Sequence, residues 1–269
     1  MKPLKIAALQ SILHWHDPEV NKSHIAQFLD NQQVDTDILI LPEMFTTGFS
    51  MEAPALAEAE EGKSLEWMQT IALKYDCLLV GSIIIHENGA YFNRLLAVDK
   101  NGILARYNKR HLFRMANEHI VYQAGIEKVI FEYKGWRICP QICYDLRFPV
   151  WSRNPVSEDG YAYDLLIYVA NWPAMRAKHW VNLLTSRAIE NQSYVVGVNR
   201  VGKDGNDLPY SGNSAIIDYM GEKMAYLEDK EGLLNATITY ENMNKWRNKF
   251  PIWKDADSFS IDHSNSMVI

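Results

Sequence analysis

The stretch QICYDLRFP, residues 141–149, stands where an apolar run ends and the chain becomes polar and aromatic. The preceding segment, 128–142, is rich in β-branched and aromatic residues, which predicts a buried strand. Cys143 then falls at or just past the carboxyl end of that strand. There a side chain leaves the sheet, and the backbone N–H groups from Tyr144 onward can point at a developing oxyanion. A nucleophile at such an elbow has the geometry that acyl transfer needs.

Strand-like and helix-like segments alternate along the chain on both sides of this stretch. Apolar runs predict strands at 5–10, 37–42, 78–85, 91–98, 164–170, 194–198, 214–219 and 233–239. Helical spacing predicts helices at 18–33, 64–75, 176–191 and 241–249. Two rounds of strand and helix, each followed by further strands, predict an α/β layered protein. No linker divides the chain, so we expect one domain over 1–269, with 251–269 as a C-terminal tail that packs on a partner subunit or stays loose.

Composition and charge argue against several classes of protein. The chain has 27 Lys and Arg against 33 Asp and Glu and no basic block, which is unlike a nucleic-acid-binding surface. No apolar run approaches the roughly 20 residues of a membrane span, and the first residues lack the apolar core of a signal peptide. Three cysteines do not form a disulfide framework and fit a reducing compartment. We expect a soluble, cytoplasmic protein without nucleic-acid or membrane partners.

Three reactive side chains each follow a predicted strand. Glu43 comes after 37–42, Lys109 after 104–108, and Cys143 after the strand described above. Groups at the carboxyl ends of neighbouring strands converge on one crevice. Lys109 would supply a fixed positive charge and Glu43 would move protons, which together suit a thiol that splits an amide. Each residue alone also fits a different role: a packing cysteine, a solvated loop carboxylate, or part of a basic face.

The combination of motifs points to a known family. LPEMF at 41–45, YNKRHLF at 107–113 and CYDLRFP at 143–149, in this order and spacing, resemble the nitrilase superfamily of carbon–nitrogen hydrolases. The runs KRHLFR at 109–114 and FPVWSRN at 148–154 look most like its omega-amidase branch, which hydrolyses the terminal amide of 2-oxoglutaramate or 2-oxosuccinamate. The resemblance implies a four-layer αββα sandwich, a homodimer formed through the outer layer, and no metal or organic cofactor. Metal-binding and Walker motifs are likewise absent from the sequence.

The resemblance also assigns roles to residues. It makes Cys143 the nucleophile, Glu43 the general base and Lys109 the electrostatic partner of the tetrahedral intermediate, and the reading of the residues gives the same roles. The backbone N–H of Tyr144 would help to hold the oxyanion. Many members have a second glutamate shortly after the lysine, and Glu118 is the natural match. A solvated loop carboxylate is the alternative for Glu118.

A 2-oxo dicarboxylate monoamide brings a carboxylate, so its pocket needs a cation, and a guanidinium can hold a carboxylate bidentately. The candidates are Arg110, Arg114, Arg147 and Arg176. Arg147 fits about equally well as a structural partner of Asp145 or of the local backbone. The candidates for apolar walls are Phe45, Tyr144 and Trp172, although aromatic residues in such places also serve as core.

Three alternatives remain open at this point. The chain could hydrolyse another small amide or a carbamoyl compound within the same superfamily. It could be a catalytically silent scaffold, although Glu43, Lys109 and Cys143 are all present. It could be a thiol redox sensor that uses Cys139 and Cys143, but four residues of strand would separate their Cα atoms by about 13 Å, too far for a disulfide.

Overall fold

The computed structural model describes residues 1–157, 160–257 and 259–261. The strands are β1 Leu4–Gln10, β2 Ile38–Ile40, β3 Leu78–Glu87, β4 Ala90–Asp99, β5 Gly102–Asn108, β6 Phe131–Tyr133, β7 Trp136–Ile142, β8 Val156–Ser157, β9 Gly160–Tyr161, β10 Leu165–Ala170, β11 Tyr194–Asn199, β12 Val201–Lys203, β13 Pro209–Ser211, β14 Ala215–Ile217, β15 Lys223–Tyr226 and β16 Gly232–Ile238. The helices are α1 Pro18–Asp30, α2 Ala53–Leu56, α3 Lys63–Tyr75, α4 Glu118–Val121, α5 Pro149–Ser152, α6 Ala177–Asn191 and α7 Tyr240–Lys249.

Two six-stranded sheets form the centre of the protein. The first has the strand order β16-β1-β2-β3-β4-β5, and the second has the order β15-β14-β11-β10-β7-β6. Strands β1, β2 and β3 run parallel in the first sheet, as do β7, β10 and β11 in the second. The carboxyl ends of each parallel set therefore lie along one edge, where side chains that leave the sheet can meet.

Alternation along β1 shows how the layers are built. Leu4, Ile6 and Ala8 belong to an apolar cluster that includes many residues of the second sheet, whereas Ala7 and Leu9 pack with α1 and α3 on the opposite face. Because successive side chains of a strand point to opposite faces, this strand must be apolar throughout to fill both layers. Helix α6 covers the second sheet with apolar residues such as Trp180 and Leu184. The result is the four-layer αββα sandwich, which confirms the fold class predicted from the sequence.

The structure corrects the long strand predicted at 128–142. That segment is a hairpin, in which β6 and β7 pair with Tyr133 opposite Trp136. The turn consists of Lys134 and Gly135, with φ of +50° and +84°. Two consecutive residues with positive φ are typical of tight hairpin turns, and glycine adopts this region without cost. Only β7 is therefore an interior strand that leads into Cys143.

The C-terminal segment 251–269 is described only in part. Ile252–Asp255 form a 3-10 turn, and Ile261 is half-buried against the large apolar cluster. Residues 258 and 262–269 lie outside the described residues, so packing of the tail on a partner subunit stays a prediction. Within the described ranges, no helix combines the length and the apolar character that crossing a membrane requires.

Helix α7 is fixed to the second sheet by a buried arginine. Arg247 Nη1 lies 2.8 Å from Asp164 Oδ1, and both side chains are buried. The Nε and Nη2 groups of Arg247 donate to the carbonyl oxygens of Gln192 and Tyr163. The guanidinium therefore has partners on three sides, and its position depends on all of them.

We expect Arg247→Met to lower the free energy of unfolding by about 3 kcal/mol, because Asp164 would remain buried and the half-exposed Arg137 would be its one ion partner among the described residues. The urea midpoint measures this loss. Lys245→Met is the matched control on the same helix, since Lys245 forms an exposed pair with Glu241 and should leave the midpoint unchanged. Equal midpoints for the two variants would contradict the anchoring role of Arg247.

Candidate active site

The structure brings the predicted reactive side chains together between the two sheets. Lys109 directly follows β5, and its Nζ lies 2.8 Å from Oε1 of Glu43 and 2.9 Å from Oε1 of Glu118. Glu43 follows β2, and Glu118 is the first residue of α4. All three side chains are completely buried. Glu118 is therefore no solvated loop carboxylate, and one ammonium bridges two carboxylates away from water.

Cys143 sits on a sharp elbow at the end of β7. Its φ is +43°, and it begins a 3-10 turn that runs to Arg147. Such a conformation is uncommon for a residue other than glycine and persists only where the surroundings hold it. Asp145 provides this hold, because its carboxylate accepts hydrogen bonds from Ile142 N (3.0 Å), His111 N (2.9 Å) and the Tyr107 hydroxyl (2.7 Å).

The charges of the site act strongly on one another because their side chains are buried. Burial raises the pKa of the Cys143 thiol well above its usual range, the negative charge of Glu43 raises it further, and Lys109 opposes the change. Burial alone would lower the pKa of Lys109, but the carboxylates of Glu118 and Glu43 more than offset it, so the pKa is raised. Burial also raises the pKa of Glu118, against the effect of Lys109. The resting site therefore holds a protonated thiol beside a permanent ammonium.

Two asparagines at the site were not identified from the sequence. Asn93 Nδ2 donates to Glu43 Oε1 (2.8 Å) and lies 3.4 Å from Glu118 Oε1. The backbone N–H of Asn171, just after β10, donates to Glu43 Oε2 (2.7 Å). A signal for Asn93 does exist, because it is in phase along β4 with Leu95, which faces the layer between the sheets. A polar residue on an apolar face of a strand is unusual enough to mark a buried partner.

A cavity of about 490 Å³ opens onto Cys143. Arg147 and Arg176 line it, together with Tyr144 and Trp172. The guanidinium carbon of Arg147 lies 4.7 Å from the centre of the Trp172 ring, and that of Arg176 lies 5.4 Å from the centre of the Phe113 ring. Among the described residues, neither guanidinium forms an ion pair with a carboxylate. Both are therefore available to an anionic ligand.

Phe45 does not line this cavity, contrary to the sequence prediction. Its ring is completely buried and packs against Trp67 of α3, at 5.5 Å between ring centres. Gly81 of β3 makes room for it, since a Cβ there would lie 2.9 Å from the Phe45 ring. The aromatic wall in this region comes instead from Phe49, whose ring centre is 5.0 Å from Lys109 Nζ.

Two of the predicted carboxylate-binding arginines also lie outside the cavity. Arg114 begins a 3-10 turn and is exposed to solvent. Arg110 donates to the carbonyl oxygen of Gly125 and stacks on the Trp151 ring. The alternative role of Arg147 as a partner of Asp145 has no support either, because Arg147 contacts His179 instead.

Cys77 and Cys139 are the two cysteines outside the elbow. Cys77, Cys139 and Cys143 are all free and buried, and burial raises the pKa of Cys139 to about 11. Cys139 lies within β7, so it shares the rigid sheet rather than the elbow. Within the described part of the chain, no group of three or more His, Cys, Asp or Glu is arranged to hold a metal ion.

Known proteins are similar to this chain in sequence and in fold. "Omega-amidase YafV" of Yersinia enterocolitica is 48% identical over 264 residues, which cover 97% of this chain and 100% of that protein. "2-Oxoglutaramate amidase" of Bacillus subtilis is 33% identical over 253 residues, covering 93% of this chain and 96% of that protein. The crystal structure of XC1258 from Xanthomonas campestris, described as a CN-hydrolase superfamily protein with an arsenic adduct in the active site, is 43% identical with a TM-score of 0.94. It covers 97% of this chain and 100% of that one.

The model of the carbon–nitrogen hydrolase family matches residues 5–248, which is most of the chain. The sandwich fold and the similarity to amidases over nearly the full length lead to the same assignment. The resemblance inferred from the three sequence motifs is thereby confirmed. The chain is an amidase-like enzyme that belongs to the carbon–nitrogen hydrolase family, within the nitrilase superfamily.

Proposed function

We propose that the enzyme hydrolyses the terminal amide of a 2-oxo dicarboxylate monoamide, such as 2-oxoglutaramate or 2-oxosuccinamate, to the 2-oxo acid and ammonia. The observation that carries this proposal is that two guanidinium groups, those of Arg147 and Arg176, line the cavity that opens onto Cys143 and form no ion pair with a carboxylate of the described residues. A carboxylate held there by charge-assisted hydrogen bonds leaves the other end of the substrate facing the thiol. The names of the relatives support the same substrate class.

The first half of the reaction is acylation of Cys143. As Sγ attacks the amide carbonyl carbon, Glu43 takes the thiol proton, because the raised pKa of Cys143 keeps the resting thiol protonated. Lys109 and the backbone N–H of Tyr144 stabilise the oxyanion. The C–N bond then breaks, Glu43 gives its proton to the leaving nitrogen, and a thioester remains.

The second half returns the enzyme to its resting state. Ammonia leaves, and Glu43 takes a proton from a water molecule that attacks the thioester carbonyl carbon. The C–S bond breaks to give the carboxylic acid, the thiolate recovers the proton from Glu43, and the acid then loses its own proton to the released ammonia. Glu118 holds Lys109 in place throughout through its 2.9 Å contact. Amide and water are thereby converted to carboxylate and ammonium with no other reactant.

A substrate panel tests the proposal. We expect ammonia release from 2-oxoglutaramate with a kcat/KM about 10- to 100-fold above that of an amide of equal length without the carboxylate, which is the effect of one or two charged hydrogen bonds. Glutamine carries an ammonium group where 2-oxoglutaramate has its 2-oxo group. Repulsion of this charge by Arg147 and Arg176 should make kcat/KM for glutamine lower than for 2-oxoglutaramate. Fastest turnover of a carbamoyl compound, or none of any 2-oxo acid amide, would overturn the proposal.

Replacement of Arg147 tests the binding of the carboxylate. We expect Arg147→Met to raise the KM for 2-oxoglutaramate about 10- to 100-fold, through loss of a charged hydrogen-bond pair, and to change kcat much less. Arg114→Met is the control, because Arg114 is exposed outside the cavity and its loss should alter neither constant. Steady-state kinetics that gave the same KM for both variants would remove Arg147 from substrate binding.

We expect Glu43→Gln to lower both the pKa of Cys143 and kcat. Glu43→Gln removes a negative charge beside the thiol, so the pKa of Cys143 should fall and thiolate should form at lower pH than in the wild type. The same variant lacks the base, so its kcat should fall at least about 100-fold. Ultraviolet absorbance of the thiolate, with Cys143→Ala as the blank for Cys77 and Cys139, measures the first effect. A Glu43→Gln enzyme that stays active would contradict the mechanism.

A further inference from the structure

Asn93 contacts all three charged residues of the site. Its backbone carbonyl oxygen accepts the N–H of Lys109 at 3.0 Å. Its side-chain Nδ2 donates to Glu43 Oε1 at 2.8 Å and lies 3.4 Å from Glu118 Oε1. One residue of β4 therefore fixes the backbone of the lysine and also reaches both carboxylates that the lysine bridges.

The side chain of Asn93 does not serve the fold alone. It is 1% exposed, and its Oδ1 is a buried atom with no hydrogen-bond partner among the described residues. A buried carbonyl oxygen without a donor destabilises the folded state. Leucine would remove the unpartnered oxygen but would leave Oε1 of the buried Glu43 with one donor fewer, so the amide serves the carboxylate rather than the packing of the strand. An unsatisfied buried polar atom beside reactive groups is consistent with a role in the site.

The hydrogen bonds of Glu43 and Glu118 show what the side-chain amide of Asn93 contributes to the site. Each glutamate uses Oε1 for Lys109, while Oε2 of Glu43 faces the N–H of Asn171 and Oε2 of Glu118 faces the N–H of Phe113. The ammonium of a lysine is a point charge on a flexible stem, so it attracts both carboxylates but does not set their orientation. Asn93 is a donor on a rigid strand, and together with these two N–H groups it sets the orientation of the carboxylates.

We infer that Asn93 is a positioning residue, which orients the Glu43–Glu118 pair on Lys109 so that Glu43 can accept the proton of Cys143. It does not line the cavity and needs no contact with substrate. The titratable groups that face the pair are Lys109, Cys143 and Tyr122. As a neutral donor, Asn93 adds no charge that would compete with the lysine. The inference rests on the proposed role of Glu43 as base.

Asn93→Leu tests this role with purified enzyme. Because a donor favours the ionised form of a carboxylate, its removal should shift the acid limb of the kcat/KM profile to higher pH, by about 0.5 to 1 unit. We expect kcat at neutral pH to fall about 10-fold and KM for 2-oxoglutaramate to stay unchanged. The melting temperature should fall less than that of a fully hydrogen-bonded buried asparagine, because loss of the unpartnered Oδ1 partly offsets loss of the donor to Glu43. If Asn93→Leu does not fold, Asn93→Ala tests the same pH shift.

Asn154→Leu is the matched control. Asn154 is also buried, but its Nδ2 donates to the carbonyl oxygens of Tyr163 and Asn191, and its Oδ1 accepts from Tyr163 N. This variant should lose melting temperature and keep the wild-type pH profile. A lower melting temperature for Asn93→Leu with an unmoved pH profile would mean that Asn93 is merely structural, and would overturn the inference.

A second readout separates this inference from the proposed substrate. The rate of Cys143 alkylation by iodoacetamide, followed against pH without any amide substrate, should show the same shift of its acid limb in Asn93→Leu. If the wild type hydrolyses no 2-oxo acid amide, the alkylation profile still tests Asn93. If the amide is hydrolysed but neither profile moves, the inference about Asn93 fails while the proposed function stands.

Discussion

The structure depends on one interaction, the ammonium of Lys109 shared by the carboxylates of Glu43 and Glu118 in a site without exposure to water. Removal of three charges from water is costly, and their mutual attraction offsets the cost only when hydrogen bonds satisfy the remaining atoms. Here the backbone N–H groups of Asn171 and Phe113 donate to the second oxygen of Glu43 and of Glu118, respectively. Such an arrangement requires rigid elements on every side, and the sandwich supplies them.

The two sheets divide the chemistry between them. Glu43 and Lys109 follow strands of the first sheet, whereas Cys143 follows β7 of the second. Neither sheet alone carries a complete site, so the packing of one sheet on the other assembles it. The braced elbow at Cys143 then sets the position of the thiol, because Asp145 ties the turn to Tyr107 of the first sheet. The geometry of the proposed active site therefore depends on how the two sheets pack against each other.

The layers of the fold and the convergence of the reactive residues could be predicted from the sequence, because they follow from strand periodicity and strand ends. The apolar runs at β1, β2 and β10 fix the layers, and reactive residues directly after strands could be expected to converge. The features that could not be predicted from the sequence depend on local turns. The turn at Lys134 and Gly135 hides within an apolar segment, and the loop after Glu43 directs Phe45 to the helix layer and Phe49 to the cavity. Such directions follow from individual backbone angles, which composition does not reveal.

The central claim is that Cys143 carries the acyl group between two half-reactions served by Glu43. Rapid acid quench of the enzyme during turnover of 2-oxoglutaramate, followed by mass spectrometry of its peptides, tests this directly. We expect a 2-oxoglutaryl group on the peptide that contains Cys143 and on no other peptide. The Cys143→Ala variant should show neither this adduct nor turnover. An acyl group on Cys77 or Cys139, or full turnover by Cys143→Ala, would contradict it.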